Sequence, residues 1–217
     1  PPESFETVWS HLADLLHSEK VISTLSRGVT NTVSWQAEGV QVKTDRGTEL
    51  IAKAVIERAW QALVMRKIIP VDEFPGEARY RSTAISAILA QLPYVDYTTY
   101  PKTTLFLTSH RFTNAELATT FKVGTQRGIR VAGRSPDTKL VVFTTGAASD
   151  YQVEHPYQDY WKGDTLFYTG EGQTGDQEMT HGNLALKNSM SARFPVYGFQ
   201  KLPEGGFAYL GRFQVNA

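Results

Sequence analysis

The chain has 217 residues, 41% of them hydrophobic, enough for one generous core or two modest ones. Its 22 basic and 22 acidic residues cancel, which excludes a strongly charged tail, and 17 Gly with 10 Pro are too few for a low-complexity chain. Cysteine is absent, so disulfides, Cys-ligated zinc, iron–sulfur clusters and thiol catalysis are excluded, and a reducing, cytoplasmic location fits. No apolar run approaches the roughly 18 residues of a transmembrane helix. No charged-then-apolar leader opens the sequence either, so neither a membrane partner nor a signal peptide is expected.

The first half reads as helices alternating with hairpins. Phe5, Val8, Trp9, Leu12 and Leu16 share one helical face. Val33 with Trp35, and Val40 with Val42, alternate on either side of Ala37-Glu38-Gly39, a hairpin signal. Asp45-Arg46-Gly47 reads as a turn, and Thr48 as the N-cap of a long helix marked by Ile51, Val55, Ala59, Ala62 and Leu63. After Pro70 and Pro75-Gly76, Ser82 opens a further helix through Ile85, Ile88, Leu89 and Leu92, stopped by Pro93. Two short β-type runs follow, Val95–Thr98 and Thr103–Thr108. Two helices and then a two-stranded wing is the order of a winged helix. That fold usually sets its second helix, here about 82–92 with Arg79 and Arg81 at its start, in a DNA groove. Packing against protein is the other reading, because the helix is mostly Ala, Ile, Leu and Ser.

The character changes near residue 110. Thr113-Asn114-Ala115-Glu116 is a capping box opening a helix to about Phe121. β-type runs then dominate, at Lys139–Thr145, Thr165–Thr169, Val196–Gln200 and Phe207–Val215. Between the second and third of these, Gly170 to Asn188 reads as a long loop, of the kind that is usually functional. The expected domains are therefore 1–109 and 110–217. Arg127, Arg130, Arg134 and Lys139 fall in thirteen residues with one acid, Asp137, which suits either a phosphate-contacting patch or a solvated loop.

The catalytic signatures are missing. There is no H-E-x-x-H, G-x-S-x-G or P-loop, and the five histidines form no metal pair. Gly170, Gly172 and Gly175 have dinucleotide-loop spacing but lack the strand–loop–helix context. Asp159, Asp164, Glu178 and His181 leave a metal site open as a rival, and no catalytic or metal residue is assigned. The densest signal is 157–172, with five aromatics and three acids in sixteen residues. Rings stack on a planar base and a carboxylate accepts from its exocyclic amine. A core strand with packed Tyr and Trp explains the same composition.

The order of motifs resembles the SRA domains of bacterial McrA-type, modification-dependent HNH endonucleases. The matching pieces are Phe112-Thr113-Asn114-Ala115-Glu116-Leu117, Arg127-Gly128-Ile129-Arg130, Tyr157-Gln158-Asp159-Tyr160-Trp161 and Gly163-Asp164. They continue through Tyr168-Thr169-Gly170-Glu171-Gly172, Gly175-Asp176-Gln177 and Gly182-Asn183 to Leu186. With the winged-helix-like N-terminal domain read from its element order, the resemblance makes this an α+β chain whose second domain is an SRA-like curved β-sheet or barrel with flanking helices. It implies recognition of double-stranded DNA carrying a C5-modified cytosine, by base flipping, as the reader part of a type IV restriction endonuclease.

In that reading Tyr168 stacks on the flipped base, Asp159 takes its Watson–Crick edge, and Thr169 sits beside it. Tyr157 is the opposing aromatic. Eukaryotic SRA domains place that Tyr three residues before the Asp rather than two, so Trp161 is the alternative. Arg127, Arg130, Arg134, Gln173 and Asn183 are expected on the DNA backbone or groove. The nuclease would be a separate HNH module carrying its own divalent metal, with no cofactor in this chain. A homodimer would form through a missing or N-terminal domain. A modified-RNA module and a metal-dependent nuclease remain the alternatives.

Overall fold

The computed structural model describes residues 1–146, 159–171 and 178–216. The chain divides into two compact units, Pro1–Ser109 and His110–Ala217.

In the first unit, α1 (Phe5–Leu16) is capped by Ser4, whose hydroxyl accepts the Thr7 N–H at 3.3 Å. It buries Phe5, Val8, Trp9, Leu12 and Leu16, the face read from the sequence. Then β1 (Lys20–Ser23), β2 (Thr30–Gln36), β3 (Gly39–Thr44) and β4 (Gly47–Ala52) pair in chain order as an antiparallel sheet. Val33 faces Val42 and Trp35 faces Val40, so the alternating apolar residues share one side. Thr48 is not a helix cap: it lies in β4, where it pairs with Lys43. The helix α2 (Lys53–Arg66) starts five residues later, because Lys53 N–H is drawn to Glu38 O across the β2–β3 turn at 2.8 Å.

Next come β5 (Ile68–Pro70), a 3-10 turn at Val71–Glu73, α3 (Glu77–Tyr80), α4 (Ser82–Leu89), β6 (Val95–Thr98) and β7 (Thr104–Leu107). The three strands form an antiparallel sheet in the order β5-β7-β6. α4 is buried on every side from Ile85 to Leu89, and Arg81 pairs with Glu49. Of the two readings of this helix, packing against protein is the one its burial fits. A recognition helix must offer a solvent face of long polar side chains, and α4 has spent its surface on the core. Its N-cap is Arg81, not Ser82, and no side chain bonds there.

The second unit runs β8 (Arg111–Phe112), α5 (Asn114–Phe121), β9 (Ile129–Ala132), β10 (Leu140–Thr145), β11 (Tyr160–Lys162), β12 (Thr165–Phe167), α6 (His181–Ala192), β13 (Val196–Lys201) and β14 (Phe207–Phe213). The capping box of α5 is complete: Glu116 N–H donates to Thr113 Oγ1 at 3.1 Å, and Thr113 N–H to Glu116 Oε2 at 2.7 Å. Five strands form one curved sheet in the order β8-β14-β13-β10-β9, an α+β arrangement with flanking helices. β10 and β13 are parallel; the other neighbours are antiparallel.

Both faces of this sheet are covered, which is why β10 reads as a continuous apolar run instead of an alternation. On one face Val141, Phe143 and Val196 meet Ala185 and Leu186 of α6 and, past β12, Tyr168. On the other, Phe121 of α5 packs on Tyr197 at 4.8 Å between ring centres, and Phe112 on Phe199 at 5.2 Å. Phe143 and the ring of Phe213 close over Gly198, where a Cβ would meet both. Among the described residues no helix is long and apolar enough to cross a membrane.

The expected loop from Gly170 to Asn188 is in part helix, and the reason is one glycine. Gly182 reads as a helix breaker, yet it is the second residue of α6. A Cβ there would stand 2.7 Å from Ile129 Cβ and 2.7 Å from Glu171 Oε2. The bare backbone lets α6 close onto β9, and that packing outweighs the helix propensity of about 1 kcal/mol that Ala would add. Gly182→Ala is therefore expected to destabilise the unit by about 1–3 kcal/mol through overpacking. Urea unfolding checks this; a stabilised variant would mean that α6 does not lie against β9.

Candidate functional site

β11 and β12 form an antiparallel hairpin, Tyr160 opposite Phe167 and Lys162 opposite Thr165, turning at Gly163 with φ +60°. That register brings Asp159 and Tyr168 together at the open end. There the Asp159 carboxylate does two things. Oδ1 accepts the Thr169 N–H at 2.8 Å, and Oδ2 accepts the Thr145 hydroxyl at 2.7 Å. The carboxylate thus ties both ends of the hairpin to the last residue of β10. An ionised carboxylate offers about four acceptor positions, so it keeps capacity for a further donor. Beside it, the Tyr168 hydroxyl donates to Thr144 O at 3.4 Å and the ring packs on Phe143 at 4.9 Å. Thr144 N–H in turn donates to Gly128 O at 2.7 Å.

A second knot lies next along the chain. Glu171 Oε1 accepts the Ile129 N–H at 3.0 Å, which fixes the segment after Tyr168 to β9. Asn183 accepts the Glu171 N–H at 2.7 Å and donates Nδ2 to Glu171 O and Glu178 O, each at 2.9 Å.

The hairpin also presents rings. Tyr160 and Phe167 stack 4.7 Å apart, within 2° of parallel. Trp161 is 51% exposed and, with Phe143, Tyr168 and Phe213, lines a cavity of about 600 Å³. Asp159 is not among the residues lining it.

A family profile described as "ScoMcrA-like, SRA domain" matches residues 110–217. These residues belong to the ScoMcrA-like SRA domain family. No curated protein matches the chain. Among solved structures the chain is similar to the SUVH5 SRA domain in complex with hemi-methylated CG DNA, at 24% identity and a TM-score of 0.40. That match covers 50% of this chain and 72% of that one. It is also similar to the SUVH5 SRA domain with methylated CHH DNA, with the same identity and coverage and a TM-score of 0.38. KRYPTONITE in complex with mCHG DNA and SAH matches at 19% identity and a TM-score of 0.38, over 75% of this chain and 37% of that one.

The SRA domain brings together Asp159, Tyr168 and Thr169, three of the residues expected at the base. It places Trp161 beside Tyr168 on the 600 Å³ cavity. Tyr157 and Gln173 lie outside the described residues.

The residues expected on the DNA backbone separate. Arg127 and Arg134 are exposed. Arg130 is only 6% exposed; Nη1 donates to Asn114 Oδ1 at 2.6 Å and Nε to Arg127 O at 3.2 Å. Asn183 is buried and occupied with the Glu171 and Glu178 backbone. Neither is the free surface contact that the sequence suggested, because each satisfies a polar group that folding removes from water. Among the described residues no three His, Asp or Glu side chains gather as a metal site. Asp159 and Asp164 sit at opposite ends of the hairpin, the one at its base and the other in its turn.

Sequence reasoning missed Thr145 and Glu171 as holding groups. Glu171 stood inside the matched motif with no role assigned. Thr145 carried no signal at all, being the last residue of an apolar strand run. Thr145→Val is expected to free one oxygen of Asp159 and to cost roughly 1.5–3 kcal/mol, the range for losing a hydrogen bond to a charged group. Chemical unfolding measures it, and a loss below about 0.5 kcal/mol would mean that Thr145 does not hold the carboxylate.

Proposed function

We propose that the SRA domain binds duplex DNA carrying a C5-modified cytosine and holds that base extruded from the helix. The observation that carries this reading is the Asp159 carboxylate, fixed by Thr145 and Thr169 beside the Tyr168 ring. Membership of the SRA family supports it.

The chemistry follows from the parts. Extrusion costs a few kcal/mol of lost stacking and pairing. A ring stacked on the base returns about 1–3 kcal/mol. A carboxylate held in place, with acceptor positions left over, can take the cytosine N4 amine without first ordering itself. The Thr169 N–H already engaged by Asp159 keeps that orientation. In this proposal the domain is the reader of a type IV, modification-dependent restriction endonuclease, whose HNH nuclease is a separate module. The first unit is winged-helix-like, a reading supported by its helix–strand–helix–helix order and its β5-β7-β6 sheet. With α4 buried, it acts as a packing or connecting arm.

The test is a binding titration on duplexes that differ only in one central base: cytosine, 5-methylcytosine, 5-hydroxymethylcytosine, its glucosylated form or N6-methyladenine. One C5-modified cytosine is expected to bind best. Asp159→Ala and Tyr168→Ala are each expected to lower that preference by roughly tenfold or more, in line with about 1–3 kcal/mol per edge or stacking contact. Equal binding to all five duplexes, or folded variants that still discriminate, would overturn the proposal.

A further inference from the structure

A ring that stacks on a base must hold its place before the base arrives. For Tyr168 one side of that place is an empty space. Gly128 stands directly before β9 and is bonded to Thr144 of β10. A Cβ on Gly128 would meet the Tyr168 hydroxyl at 3.1 Å and Thr144 O at 3.8 Å. Even an attractive C–H···O contact keeps carbon and oxygen about 3.3–3.6 Å apart. Any side chain at this position therefore pushes against the phenol. Gly128 is not one of the glycines with positive φ, so its backbone does not require glycine. What glycine supplies here is room.

The same two residues also receive the phenol. Thr144 N–H donates to Gly128 O at 2.7 Å, and the Thr144 hydroxyl donates to the same oxygen at 3.3 Å. Thr144 O accepts the Tyr168 hydroxyl at 3.4 Å. The space and the acceptor thus come as one unit.

The Gly128 backbone is held from the other side as well. Arg130 Nε donates to Arg127 O at 3.2 Å, and Nη1 donates to Asn114 Oδ1 at 2.6 Å. Asn114 Nδ2 donates to Thr125 O at 2.8 Å. The buried Arg130 and the first residue of α5 together fix the loop that delivers Gly128. A backbone tied on both sides resists retreat, so an added Cβ displaces the ring of Tyr168. That ring already packs on Phe143 at 4.9 Å, and the displacement becomes a tilt.

We propose that Gly128 is a positioning residue for base recognition. Its missing side chain lets the Tyr168 hydroxyl reach Thr144 O, and that contact sets the plane on which the modified base stacks. The inference rests on the base-site reading above. Recognition groups have to be held within about 0.5 Å of their productive geometry, so a small tilt is felt.

The experiment titrates the whole chain with duplexes carrying one central cytosine, 5-methylcytosine or 5-hydroxymethylcytosine. The readout is preference, the ratio of affinities for the better modified duplex and the unmodified one. A general loss of folded protein does not move that ratio. Gly128→Ala is expected to lower it by about threefold or more, part of what a stacked ring contributes. Adding Tyr168→Phe removes the oxygen that the new Cβ meets. The double variant is expected to recover the preference of Tyr168→Phe alone. An unchanged preference in Gly128→Ala would overturn the inference and leave the base site standing. So would a double variant that stays below Tyr168→Phe by the same factor. A wild type that does not discriminate would instead overturn the base-site reading, and this inference with it. Should Gly128→Ala fail to fold, the double variant decides: discrimination equal to that of Tyr168→Phe supports the role of Gly128, and a lower value overturns it.

Discussion

Two neighbouring strands that run the same way cannot be joined by a tight turn; the chain must leave the sheet and come back. β10 and β13 are such a pair, in register from Val141 opposite Val196 to Thr145 opposite Gln200. The crossover between them carries the β11–β12 hairpin, Tyr168, Glu171 and α6. Every element of the candidate base site therefore lies on this one excursion or on the strands it departs from. The pairing has its own requirement at Gly198, which faces Phe143 and leaves room for the rings of Phe143 and Phe213. Among the described residues the ties that hold the excursion include Asp159 on Thr145, Tyr168 on Thr144, Glu171 on Ile129, and α6 on β9 through Gly182.

The SRA domain handles its buried polar groups in two contrasting ways. Asp159 is met by two donors from the protein itself, so its position is set before any ligand arrives, which is what preorganised recognition requires. Arg130 is met by acceptors but by no negative charge among the described residues. Low dielectric makes each case matter more than it would at the surface. One group keeps acceptor capacity, while the other is held between neutral acceptors. The two lie apart in the domain: Asp159 at the base of the β11–β12 hairpin, Arg130 on β9 against Asn114 of α5.

Local signals were legible wherever one element decides its own fate. The apolar face of α1, the Thr113–Glu116 capping box and the alternation of β2 and β3 all follow from spacing along a short segment, and the structure keeps them. The reading failed where a distant segment decides. Thr48 has the chemistry of a cap, but pairing with β3 holds it in a strand. For helix 82–92 a groove reading stayed open beside packing, because its sequence does not say how many sides are covered. Gly182 looked like a breaker because its partner, Ile129, is 53 positions away.

What the sequence by itself determined is the set of parts: no cysteine chemistry, a change of character at residue 110, and an ordered series of motifs that resembles the SRA family. Those properties depend on composition and local order, which folding does not alter. Only the tertiary structure decided the roles. It turned Arg130 from a surface contact into a buried charge, made Asn183 a strut, and recruited Thr145 to hold Asp159. Roles of that kind depend on which groups lose water and which partners replace it, and that is settled by contacts between residues far apart in the chain.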